Sequence, residues 1–326
     1  MSDAASEKSR LALAALRGQM TRPDELWRRE TYDVSLVQAL QGPERAAFTE
    51  ILGAAIDQGD ALAALTAGQG QIAELTDALL RHRAAPGWFG LSVRRGLVAL
   101  GAGRDVIDEL CSDTRQSGAM HRFAAVVALG EIGAPLDAPR FEALLRAFAD
   151  PDSTVSKAAY QELLRLLDLQ RFARVPGTDT PELRAPLERR LLLTRSSLAA
   201  LREVARAELY ALFRAVFEGV SPDSLGLEFQ PTVGREVFLR LGEALFDATR
   251  PIPLAELRAL SGDERLYAEA LLAKSLDRRW LPSVEALAEL GARWVVPALR
   301  ELAALDSQDE VVVAALRKAL AFLDGA

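Results

Sequence analysis

The sequence predicts an all-α fold, an α-solenoid in which antiparallel helix pairs wind into a superhelix. Three observations predict it. Apolar residues recur at helical spacing: Phe141, Leu144, Leu145 and Phe148 form an i, i+3, i+4, i+7 stripe. Pieces of a helix pair recur as well, since 121–130 (HRFAAVVALG) aligns with 155–164 (VSKAAYQELL) without a gap. Aromatics make up only 6% of the chain while Ala and Leu dominate, a composition that suits close helix packing and not sandwiches or barrels.

Residues 1–42 read as a helical N-terminal cap. Ser6 to Arg17 is one helix, and Asp33 caps another that runs through Leu40. This part follows the repeat pattern poorly, as a terminal repeat with one water-facing side does. Helix pairs are expected over 43–168. Pro43 suits a helix first turn, and Phe48, Ile51, Leu52, Ala55 and Ile56 share the face that follows, ended by Gly59. Asp60 to Ala67 and Gln71 to Arg83 continue as two helices. The stretch 84–90 (AAPGWFG) reads as a loop, and 92–101 (SVRRGLVALG) as the next copy of the pattern. Its register is open by one residue: either Val98–Gly101 lies on Val127–Gly130, or Arg94 lies on Arg122. Arg104 to Arg115 supplies the intervening helix. Gly133 and Pro135 stop the helix that begins at His121, and 150–154 (DPDST) breaks the next one and offers N-cap side chains.

Beyond residue 168 the pattern weakens. Residues 169–262 read as divergent helical repeats, with a connection at 171–181 and a loop insertion near 218–233. Residues 263–326 restore it: 286–291 (ALAELG) matches 128–133 (ALGEIG), and 311–320 matches 155–164.

Composition narrows the chemistry. The chain has 326 residues and 50% hydrophobic content, ample for a large core, and a repeat stack grows by addition. Its one cysteine, Cys111, has no partner for an internal disulfide and reads as a small buried hydrophobe on an apolar helix face. Two histidines, His82 and His121, leave little material for imidazole chemistry, and no metal or cofactor is expected. The net charge of −7 argues against a nucleic-acid surface, because phosphate neutralisation needs clustered Lys and Arg. Gly68-Gln69-Gly70 lacks the spacing of a phosphate-binding loop. The N-terminus has the pattern of neither a signal peptide nor a membrane span, and no stretch approaches roughly eighteen uncharged apolar residues. The chain is therefore expected to be cytoplasmic, without membrane contact.

Arg122-Phe123-Ala124-Ala125 through Gly133, and Asp152 through Ala159, carry the pattern D-x-x-x-V-R-x-x-A-A-x-A-L-G-x-I-G. In this the chain resembles the HEAT-repeat family, and in particular the short repeats of phycobilisome-lyase-type proteins. The resemblance is clear over 92–164 and 263–323. It implies a HEAT-like, armadillo-like solenoid whose shared role is protein–protein binding. The family's Arg after Val is Ser156 in one copy and Val312 in another. The Asp–Arg ladder that the family runs between repeats is thus incomplete here, with Arg94 and Arg122 as its remaining members.

The expected function is that of a non-enzymatic scaffold or adaptor binding a protein or acidic peptide on the concave face. Arg94, Arg95, His121, Arg122 and Lys157, from the starts of three successive inner helices, are the candidate basic ridge. The same residues also read as a structural ladder or as solvated helix starts. Trp88 and Phe89 either plug a gap between repeats, the usual fate of large aromatics, or form an exposed anchor for a partner. Two enzyme readings come with the resemblance. One is handling of a bilin chromophore by a lyase or isomerase; the other is a HEAT-like DNA-repair glycosylase, which needs a basic cleft with Trp and Asp. The tryptophans are Trp27, Trp88, Trp280 and Trp294. No residue is singled out as catalytic.

Overall fold

The computed structural model describes residues 2–21, 31–170, 186–225, 235–247, 249–278, 281–305 and 309–325. Every regular element among them is helical. The chain divides into two compact units, 1–166 and 167–326.

The first unit holds α1 (Ser2–Thr21), α2 (Val34–Ala39), α3 (Gly42–Asp57), α4 (Ala61–Gln69) and α5 (Thr76–Arg81). It continues with α6 (Gly87–Ala99), α7 (Arg104–Asp113), α8 (Ala119–Glu131), α9 (Ala138–Phe148) and α10 (Ser153–Leu166). Aspartates start four of these helices by accepting from backbone N–H groups that lack an intrahelical partner. Asp33 caps α2, Asp60 caps α4 and Asp137 caps α9. Asp152 Oδ1 accepts from Thr154 N at 2.8 Å and Val155 N at 3.3 Å to start α10.

Two layers follow from the packing. α4, α6, α8 and α10 lie in succession as one row, each against the next, while α3 packs on α5 and α7 on α9 behind them. The closest step in the row is α4 on α6, where glycine is obligatory. A Cβ on Gly68 would stand 2.5 Å from the Gly96 Cα, and one on Gly96 would stand 2.5 Å from the Ala64 carbonyl oxygen. The core beneath contains Phe48, Leu52, Ile56, Leu79, Val93 and Leu97.

Two sequence expectations change here. The stretch 84–90 is not all loop: the chain turns at Gly87, with φ of +66°, and α6 begins there, so Trp88, Phe89 and Gly90 belong to its first turn. The span 71–83 is likewise not one helix. It opens with a 3-10 turn, Ala73–Leu75, before α5.

The second unit holds α11 (Pro186–Thr194), α12 (Ala199–Phe217), α13 (Arg235–Phe246), α14 (Leu254–Ala259), α15 (Gly262–Ser275), α16 (Leu281–Glu289), α17 (Val296–Ala304) and α18 (Glu310–Gly325). α11 packs on α12 and α15, and α15, α16 and α18 follow one another. A side chain distant in sequence closes the start of α12, where Glu301 accepts from Ala199 N at 3.1 Å and Ala200 N at 2.7 Å. The core gathers Leu241, Leu257, Tyr267, Leu272, Leu287 and Leu299. Of the expected insertion near 218–233, the described part contains a 3-10 turn at Pro222–Leu225. The rest of it, the connection at 171–181 and residues 306–308 lie outside the described residues. Among the described residues no helix is long and apolar enough to cross a membrane.

Candidate partner-binding face

The arginines expected to form a ridge hold the first unit together. Arg94 on α6 donates from Nε and Nη2 to both oxygens of Asp113, at 2.7 and 3.0 Å, and from Nη1 to the Arg83 carbonyl at 2.8 Å. Arg122 on α8 repeats the device. It donates to both oxygens of Asp150 at 2.7 and 2.8 Å, and to the Gln116 and Ser117 carbonyls at 2.9 Å each. Each guanidinium therefore ties the last turn of an outer helix to the turn before an inner one, with the planar fork matched to a carboxylate. The shared role settles the register: Arg94 corresponds to Arg122, and Gly90 to Gly118.

Arg95 is buried and donates from Nη2 to Glu131 Oε1 at 2.9 Å, linking α6 to α8. His121 Nε2 lies 3.4 Å from Asp113 Oδ1, inside ion-pair range, but its angle makes no hydrogen bond. The hydrogen bond from Asp150 holds the Arg122 guanidinium above its ordinary pKa. Burial works to raise the Asp150 carboxyl, but Arg122 and the Asp152 N–H outweigh it and hold the group below the usual carboxylate range. The Cys111 thiol is pushed up to about 11 by burial, with Asp108 and Asp137 adding to it, which leaves it a poor nucleophile.

Lys157 and Trp88 stand apart from this internal set. Lys157 is exposed on α10 and makes no ion pair or hydrogen bond. Trp88 is 46% exposed, while Phe89 beside it is half-buried, edge-on to His82 with ring centroids 5.5 Å apart. Trp88 lies seven residues before Arg95, on the same face of α6. Because Arg95 reaches across to α8, Trp88 sits on the side of α6 that adjoins α8.

What lies next to it on α8 is an open apolar strip that sequence reasoning missed. Met120 is 63% exposed, and Phe123 and Val127 are half-buried, at i, i+3 and i+7. Their neighbours Ala124, Ala125, Val126 and Ala128 are buried. Gly130, next to this strip, faces α10: a Cβ there would stand 2.2 Å from Glu162 Oε2. Glu131, on its other side, faces α6 through Arg95. The strip is thus open between α6 and α10. Its spacing was visible in the sequence, but the same stripe reads equally as core.

In the second unit the arginine device uses a glutamate. Glu269, 5% exposed, accepts from Arg265 Nε and Trp294 Nε1, each at 2.7 Å. Arg265 also donates to the Leu257 and Leu290 carbonyls. Trp27 and Trp280 lie outside the described residues. Among the described residues no group of three or more His, Cys, Asp or Glu side chains is placed to hold a metal ion. No family model, curated protein or solved structure matches this chain.

Proposed function

We propose that the chain is a HEAT-like α-solenoid scaffold, without catalysis of its own, that captures a segment of a partner protein on the α6–α8–α10 face. One observation carries the reading. Met120, Phe123 and Val127 leave an apolar strip open along α8, and Trp88 adjoins it from α6. An aromatic and a flexible thioether beside aliphatic surface are the side chains that anchor protein contacts. The solenoid reading is supported by the ordered row of α4, α6, α8 and α10, and by the arginine strut at matching positions of two successive pairs.

The test compares affinity capture by the unaltered chain with capture by Met120→Asp and Trp88→Ala. A protein retained by the first and lost by both variants supports the reading. Equal retention by all three sinks it. Both side chains are exposed, so circular dichroism and melting temperature should stay unchanged and exclude a folding artefact.

A further inference from the structure

Resting on that reading, we infer that the strip takes a segment carrying carboxylates beside its apolar residues, with the acidic end at the start of α8. The argument is charge complementarity along one groove.

Around the starts of α6 and α8, most cations are already matched. Arg81 pairs with Asp57, Arg83 with Asp105 and Glu109, Arg94 with Asp113, and Arg122 with Asp150. Arg115, in the turn leading into α8, and Lys157, on the adjoining face of α10, are exposed and make no ion pair. Two helix starts point the same way. The N-caps of α6 and α8 are Pro86 and Gly118, neither of which gives a side-chain hydrogen bond to the first turn. Their free N–H groups add partial positive charge beside Trp88 and Met120.

The other end of the strip has the opposite sign. Glu131 ends α8, and Glu162 faces Gly130 from α10; each is held by an arginine, Arg95 and Arg165. The groove thus runs from uncompensated positive charge at Met120 to compensated charge past Val127. A carboxylate on the bound segment gains at the first end only. A basic segment would meet Arg115 and Lys157 unscreened. These exposed charges set orientation and choice of partner more than raw affinity.

The probe is a display library of random peptides about 12 residues long, enough to span the strip as helix or strand. It is selected on the intact chain, with binders to Met120→Asp removed. Enrichment of Asp and Glu adjacent to Leu, Ile, Phe or Trp is the expected outcome. A selected peptide should then weaken by about tenfold or more on Arg115→Glu/Lys157→Glu, and selection on that double variant should turn toward Lys and Arg. A reversed preference cannot arise from misfolding. Peptides that depend on Met120 but show no acidic bias would overturn the inference and leave the binding face standing. Failure to select any peptide that depends on Met120 would overturn both.

Discussion

α6 and α8 begin on the same pattern, Gly90-x-x-x-Arg94 and Gly118-x-x-x-Arg122, and differ in what precedes the glycine. In α8 the glycine is the N-cap and the chain turns away. In α6 the helix extends back a further turn, to Gly87, and carries Trp88 and Phe89. That turn coils tightly on the segment before it. A Cβ on Gly90 would lie 1.6 Å from the Ala85 carbonyl oxygen, whereas one on Gly118 meets nothing closer than the His121 Cβ at 3.8 Å. The struts differ to match. The Arg94–Asp113 side chains are 9% and 6% exposed, those of Arg122–Asp150 14% and 8%. The arginine and its aspartate hold each step of the row, which leaves the turn in front free to become a binding element.

The largest effect expected from this contrast is on stability. Arg94→Ala abandons a buried carboxylate and should lose about 3–5 kcal/mol in urea unfolding, against about 2 kcal/mol for Arg122→Ala. Arg94→Met combined with Asp113→Leu should regain most of the loss; a double variant as weak as Arg94→Ala would show that the ion pair is not what Arg94 supplies. Next in size, Gly90→Ala should lose about 3 kcal/mol because backbone is what obstructs the new methyl, whereas Gly118→Ala should stay near 1 kcal/mol as an N-cap change. Equal losses would contradict the two helix starts described.

A smaller effect separates the struts by pH. Asp150 has its folded pKa depressed, so its contribution is complete above the unfolded value near 4 and fades as pH falls through the folded one. Acid unfolding of Arg122→Ala should therefore have a shallower slope below about pH 4 than that of the unaltered chain. Parallel acid limbs would remove Asp150 from the account. Least of all, Trp88→Ala and Met120→Asp should change stability by under about 0.5 kcal/mol, which is what makes them clean probes of binding.

Much of the helical pattern was legible in the sequence because capping aspartates and apolar spacing are local signals. Asp33 and Asp152 cap as their positions suggest. The start of α6 was hidden by Pro86-Gly87, a pair that reads as a turn but here also opens a helix. Orientation was hidden more deeply. Arg94 and Arg122 look like exposed cations until the fold brings Asp113 and Asp150 to them, 19 and 28 residues away. One likeness escaped altogether. Residues 61–80 and 281–300 share the same helix, turn, 3-10 turn and helix, residue for residue, yet Ala and Leu at 78–79 and 298–299 are their only identities. Gly291 announces its turn with a φ of +70°, while Gln71 adopts +53° unannounced and bonds the Gly68 and Ala99 carbonyls through its side-chain amide.

The central claim is that a partner segment lies along α8, and photocrosslinking tests it most directly. A benzophenone amino acid replaces Met120 in one preparation and Val311 in another; Val311 is comparably exposed, at 66%, in the second unit. Each is irradiated in extract of the source cells. A discrete crosslinked protein from position 120, absent from position 311 and weakened by Trp88→Ala, is the predicted result. The same product from both positions, or one from 311 alone, would contradict the account.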